Sequence, residues 1–158
     1  MEMKMAIAPD VALLAPVPKT HLESARVKKM THVAFGTDCF DVFQTLDNLR
    51  GGTHGEGGED VDVYIYASEG EAHDNIVTWK ARYVGYVQSI DGRHPEPELR
   101  PPSTVTDTAW MLFWNVKDLT EIDGTGKFIG TLQGHNRPKP YGKSFPPRHP
   151  IIIKHPHW

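Results

Sequence analysis

The chain has 158 residues, a net charge of −3, an apolar share of 39% and one cysteine. That length suits a single domain with a real hydrophobic core, while 14 Gly and 13 Pro break regular structure too often for a helix bundle. Cys39 alone excludes an internal disulfide framework and a Cys-based zinc finger, and no stretch approaches the ~20 apolar residues of a membrane-spanning helix.

Residues 11–17 are the longest apolar stretch near the N-terminus. Pro16 and the preceding Asp10 keep it from reading as a secretory signal, so a cytoplasmic protein that engages no membrane is expected. Within it, residues 11–15, closed by Pro16 and Pro18, predict a short first strand. Thr20 and Glu23 have capping-box spacing, which predicts a helix over residues 20–28. Residues 32–35 give a brief strand. Thr37 or Asp38 can cap the helix that follows, whose apolar stripe is Cys39, Val42, Phe43, Leu46 and Leu49 and which Gly51 and Gly52 end. Residues 51–60 (GGTHGEGGED) read as a flexible loop that cannot pack. They lack G-x-G-x-x-G spacing, and their acids would repel phosphate, so a nucleotide loop is not expected.

The next segment is a strand, with Val61, Val63, Ile65 and Ala67 on one face and Tyr64, Tyr66 and Ser68 on the other. Residues 76–90 carry the longest strand signal. Val77, Trp79, Ala81, Tyr83, Gly85 and Val87 fall on one face; Thr78, Lys80, Arg82, Val84, Tyr86 and Gln88 fall on the other. The run is too long for one regular strand, so a bulge or bend is expected, at Gly85. Residues 94–102, with four prolines, predict an exposed connection. Residues 109–116 (AWMLFWNV) are apolar on both faces, as in a strand buried on both sides. Residues 123–126 signal a turn, and residues 129–132 and 151–154 two short strands, with a Pro-rich irregular segment (137–150) between them. Six or seven strands with so little helix bury their edges best by closing, which favours a small barrel.

Residues 134–158 hold Arg137, Lys139, Lys143, Arg148 and Lys154 and no acid, so twelve basic side chains face all twenty acids in the rest of the chain. Such a tail either marks an anion-binding face or folds back onto its own acidic body. The expected organisation is one domain, residues 1–158. Residues 1–29 form an N-terminal extension with a short strand and helix, and residues 135–158 a basic, Pro-rich C-terminal segment.

The order strand, helix, DVYIYAS, IVTWKARYVGYVQSI, AWMLFWNVKDLTEI resembles the PUA-like superfamily, nearest its EVE and ASCH branches. In those domains a strand ending in a small polar residue precedes a long strand with small residues where it bends. Ala81, Gly85 and Val87 stand in the places of that bend. Trp114, Val116, Asp118 and Leu119 stand in those of a later strand that returns across the barrel. The resemblance covers residues 30–135. It implies a mainly β (α+β) fold, a PUA-like pseudo-barrel of six or seven strands with two short helices near the N-terminus. It also implies a non-catalytic module for RNA or a modified nucleobase in nucleic acid, held in some members in an aromatic-lined pocket.

Candidate site residues follow from the chemistry of that ligand. Trp79, Tyr83, Trp110 and Trp114 are either stacking platforms for bases or ordinary core. Tyr64 and Tyr66, on the face of Ser68, line a pocket or form an amphipathic surface. Phe35, Gly36, Thr37 and Asp38 lie where a strand passes into a helix, whose backbone amides favour an anion or a polar ligand edge. Asp38 argues against phosphate there but can accept from the exocyclic amine of a base; alternatively Thr37 and Asp38 only cap the helix. Lys80 and Arg82 form the best basic pair outside the tail. With Arg137, Lys139, Lys143 and Arg148 they would make a phosphate-tracking groove, interleaved with Tyr141 and Phe145. The expected cavity has Trp79 or Trp114 in its wall and Lys80, Arg82 or the tail loop at its flank.

His149, His155 and His157 cluster near the end, but H-E-x-x-H is absent and no third ligand can be placed beside His155 and His157, so no metal is expected. Cys39 follows a helix cap, a position that activates thiols, yet no His–Asp partnership is identifiable, so no catalytic residue or cofactor is expected. Two other classes stay open. One is a small metal-dependent hydrolase or nuclease; the other is a protein-interaction or regulatory domain with a filled cavity and the tail as a docking arm.

Overall fold

A computed structural model describes residues 7–69, 72–73, 75–106, 109–122, 127–137, 139–140, 142 and 147–158. In chain order these form β1 (Ile7–Pro18), α1 (Lys19–Val27), β2 (His32–Thr37), α2 (Phe40–Arg50), β3 (Asp60–Glu69) and β4 (Ala72–His73). Then come β5 (Ile76–Val77), β6 (Trp79–Gln88), β7 (Leu112–Glu121), β8 (Lys127–Phe128) and β9 (Ile151–Lys154), with 3₁₀ turns at Pro97–Leu99, Pro102–Thr106 and Ile129–Thr131. The fold is α+β and mainly β. No helix among the described residues is long and apolar enough to cross a membrane.

Strands pair in the order β2-β7-β6-β3-β1-β9, with β4 beside β3 and β5 with β8 apart. β1 runs parallel to β3, and the remaining neighbours on that path are antiparallel. β2 and β9 end the path without pairing to each other, so strand pairing among the described residues does not close the barrel that edge burial favours. α2, which follows β2, meets β9: its Val42 and Ile152 of β9 both pack against the main core and line one groove. The segment expected as an extension supplies β1, between β3 and β9.

β1 runs past the proline that was expected to end it. Asp10 O accepts from His155 N–H (3.1 Å) on the β9 side, so backbone groups of alternate residues point that way. Pro16 and Pro18 share that parity but lie beyond the last pair with β9, at Leu14, where a missing N–H breaks no ladder bond.

On β3 the alternation holds. Val61, Val63, Ile65 and Ala67 enter the main core under α1 and α2, and Tyr64 and Tyr66 enter a second core on the opposite face. On β6, Trp79, Ala81 and Tyr83 face the main core, but a bulge between Tyr83 and Gly85 changes the parity and brings Tyr86 onto the same side. A break at Thr78 likewise sends Val77 into the second core rather than beside Trp79.

Gly85 is the expected bend. Its φ is +147°, and a Cβ there would lie 2.2 Å from Gly55 O, so the glycine loop packs directly on it. That corrects the reading of residues 51–60 as unable to pack. Gly55 O accepts from Tyr86 N–H (3.2 Å). Arg50, only 3% exposed, donates from Nε to Glu59 O (2.6 Å) and from Nη2 to Val84 O (3.2 Å), and its guanidinium lies 5.1 Å over the Tyr83 ring. Asp47 sits 3.7 Å from Arg50 and accepts from Gly55 N–H (3.3 Å). The buried face of α2 is therefore Phe43, Leu46, Asp47 and Arg50, while Leu49 of the expected stripe is exposed.

Other local expectations change as well. The capping box of Thr20 and Glu23 does not form, since α1 begins at Lys19 with no side-chain cap, and neither Thr37 nor Asp38 caps α2, whose N-cap is Cys39. Within residues 129–132, Ile129–Thr131 form a 3₁₀ turn rather than a strand. The 94–102 connection is partly buried, at His94 and Pro101. The turn expected at residues 123–126 lies outside the described residues.

Replacing Gly85 with Ala forces a side chain onto Gly55 O at a positive φ. A loss of about 2–4 kcal/mol in urea unfolding is expected, with an unchanged m-value. Burial, with Asp62 adding to it, pushes the Tyr64 phenol from 10.0 up to about 12, and burial raises Tyr83 further. These phenols stay protonated in the fold where unfolded tyrosines ionise. Their stabilisation is therefore complete below pH ~10 and declines as pH rises toward the Tyr64 value. Absorbance titration should show one phenol ionising near 12 and Tyr83 ionising only on unfolding, while the urea midpoint falls above pH ~10.

Candidate ligand pocket

β1, β2 and β3 all finish at one rim, where a cavity of about 310 Å³ opens. Pro16, Val17 and Pro18 of β1, Phe35, Gly36 and Thr37 of β2, and Ser68 of β3 supply three sides. Asp38 and Cys39 lead from it into α2, Trp114 enters from β7, and Trp110 stands just before that strand. His21 of α1 and Arg148, His149 and Pro150 of the tail complete the wall. Eight residues singled out from the sequence for the ligand, Phe35, Gly36, Thr37, Asp38, Ser68, Trp110, Trp114 and Arg148, are brought together here.

The aromatic wall divides into fixed and accessible parts. Trp114 is 1% exposed, packs 4.9 Å from Phe35 and stacks on Phe43 at 6.0 Å, so most of it is core. Trp110 is half-buried and is the ring a ligand can reach. Its position depends on Gly36, where a Cβ would come 2.3 Å from Trp110 Cδ1. Only glycine lets the indole lie against β2.

The polar groups are also held. Thr37 is buried; its Oγ1 accepts from Cys39 N–H (3.0 Å), which leaves the hydroxyl proton to donate elsewhere. Asp38 Oδ1 accepts from Met111 N–H (3.0 Å), which ties the β2–α2 corner to the segment before β7. Its side chain is exposed, with the second oxygen unengaged among the described residues. His21 Nδ1 is hydrogen-bonded to Ser103 Oγ (2.7 Å). Tyr66 is fully buried rather than pocket-lining, and its hydroxyl donates to Pro147 O, fixing the tail beside Arg148.

The other expected residues lie elsewhere. Trp79 is core. Lys80 borders a separate cavity with Asp62, Tyr64 and Trp158. Arg82 is half-buried, opposite Asp62 on one neighbouring strand and Lys117 on the other. Arg137 lies in a groove with Asp41 of α2. The groove drawn from Lys80, Arg82 and the tail is therefore not assembled at this cavity, where Arg148 alone represents the basic tail. Tyr141, Lys143 and Phe145 lie outside the described residues.

The C-terminal histidines and the cysteine have the following surroundings. His155 Nε2 bonds Asp62 Oδ2 (2.8 Å) and its ring stacks on His157 (4.6 Å), while Trp158 meets Tyr64 edge-on (5.0 Å). This pins the C-terminus to the sheet. Among the described residues no three His, Cys, Asp or Glu side chains come together as a metal site. Cys39 and His149 share the cavity, but no hydrogen bond joins them; His149 Nδ1 donates to Pro150 O (3.1 Å).

Sequence reasoning missed the accessibility of Trp110 and the contributions of His21, His149 and the β1 prolines. Gly36, directly before the expected cap, was the one local signal of a close approach. No protein-family model matches the chain, and no curated protein is detectably similar to it.

Gly36→Ala should displace Trp110 while leaving the sheet intact. The expected result is a shifted tryptophan emission spectrum and altered near-ultraviolet circular dichroism with an unchanged far-ultraviolet spectrum.

Proposed function

We propose that the chain is a PUA-like binding module, without catalysis, for RNA or a modified nucleobase in nucleic acid. The cavity at the strand ends carries this reading, because it joins an accessible indole to polar groups in a space of about 310 Å³, within the range of small-ligand sites. A base stacked on Trp110 gains about 1–3 kcal/mol whatever its identity. The second oxygen of Asp38 suits an exocyclic amine, and the Thr37 and Ser68 hydroxyls suit the other base-edge groups. Arg148 at the rim adds attraction for an adjoining phosphate. The bend at Gly85, the two-faced β3 and the contact of α2 with β9 fit a pseudo-barrel.

Fluorescence anisotropy with a labelled short single-stranded RNA tests it. Affinity is expected to fall as salt rises, and Trp110→Ala is expected to weaken binding by about tenfold or more. Binding indifferent to both salt and Trp110 would sink the proposal.

A further inference from the structure

The hydrogen-bonding pattern at the β2–α2 corner bears on which base the cavity can take. Asp38 is the one carboxylate among the described lining residues. Met111 N–H (3.0 Å) engages one lone pair of its Oδ1, so that oxygen keeps a second and Oδ2 keeps both. The bond also restricts rotation of the side chain, which is exposed and offers a ligand two acceptors side by side. Thr37 supplies the opposite polarity. It is 4% exposed, and its Oγ1 already accepts from Cys39 N–H (3.0 Å), so its hydroxyl proton is left to donate. An acceptor pair and a donor thus stand on consecutive residues.

The four RNA bases meet such a corner differently. Guanine carries two adjacent donors, N1–H and N2–H, beside the acceptor O6 on one edge. Uracil offers a single N3–H between two carbonyls. Adenine and cytosine each offer one amine beside a ring nitrogen whose lone pair would face the carboxylate. Each of these three therefore forgoes one charge-assisted hydrogen bond and sets an acceptor against the negative charge. A site built around N–H donors rejects a ligand that lacks one, because its own polar group is left unpaired.

We propose, resting on the nucleic-acid reading above, that the base held in this pocket is guanine. Its N1–H and N2–H bond the Asp38 carboxylate, and its O6 accepts from the Thr37 hydroxyl. Anisotropy with short labelled oligouridine strands tests this, each strand carrying a single central guanine, adenine, cytosine or hypoxanthine. Calorimetry with guanosine runs beside it. The guanine strand should bind about tenfold or more tightly than the adenine and cytosine strands or plain oligouridine. Hypoxanthine differs from guanine only in lacking the N2 amine, and its strand should fall between them. In Asp38→Asn the amide oxygen can keep the Met111 bond while an N–H₂ replaces the second acceptor. The guanine preference should vanish there with an unchanged far-ultraviolet spectrum. Trp110→Ala should weaken every strand with their order kept.

If all strands bind alike, or the guanine preference persists in Asp38→Asn, guanine recognition at Asp38 is wrong; a loss of affinity in Trp110→Ala then leaves the base pocket standing. If the wild-type chain ignores the strands but binds guanosine, and Asp38→Asn does not, guanine recognition stands and the nucleic-acid reading falls. If the wild-type chain binds neither, both fall.

Discussion

The buried Arg50 side chain holds together three segments that otherwise have no reason to meet: the end of α2, the glycine-rich loop and the bulge of β6. Its hydrogen bonds reach Glu59 O and Val84 O, so it satisfies a loop carbonyl and the carbonyl of the residue that the bulge leaves without a regular partner. The ion pair with Asp47 is loose, at 3.7 Å, and the facing atoms, Asp47 Oδ1 and Arg50 Nη1, have no hydrogen bond of their own. Coulomb attraction between them offsets desolvation only in part. What the pair contributes is geometry, because Asp47 also fixes Gly55 N–H and so presses Gly55 onto Gly85. The bend in β6 then sets where β7 begins, since Tyr86 pairs with Trp114 and Gln88 with Leu112. Both tryptophans of the pocket inherit their placement from that bend.

Parallel pairing of β1 with β3 has a second consequence for the site. Pro18 lies beside Ser68, so both strands leave the sheet at one rim, together with the end of β2. Strand ends present backbone groups that the ladder no longer uses, which is why ligands gather at such rims in mixed and parallel sheets. Here β1 ends in prolines that offer no N–H. In the proposed reading recognition would therefore fall to the β2–α2 corner, where Thr37 and Asp38 are already braced by Cys39 N–H and Met111 N–H. The tail, pinned by the Tyr66 hydroxyl at Pro147, fills the gap that β9 leaves beside the β1 prolines.

The legible parts of the sequence were those governed by local periodicity: the two faces of β3, most of the α2 stripe, and the glycine where β6 bends. Where a bulge or break intervenes, period-two reasoning carries the wrong parity forward, as at Tyr86 and Val77. Asp47 and Arg50 lie outside the apolar stripe of α2, and nothing local marks their burial, because their partners lie in a loop whose composition promised no packing. Pairing of β1 with β3 was invisible because apolar alternation is silent about which strand lies alongside. The same limit applies to charge. Lys80 and Arg82 are close in sequence but lie apart from the pocket, whereas Lys28, Arg93 and Arg100 meet only because the connection after β6 folds back onto α1 and β2.

Asp38 limits what the cavity can take. It is anchored by one oxygen, and its exposed carboxylate at the rim would repel a phosphate placed beside it at short range. On the proposed reading a base would therefore stack on the Trp110 indole with its edge toward Thr37, Asp38 and Ser68, while its phosphate stays outside that corner. The indole can take that place only because residue 36 is glycine, since any side chain there would displace it.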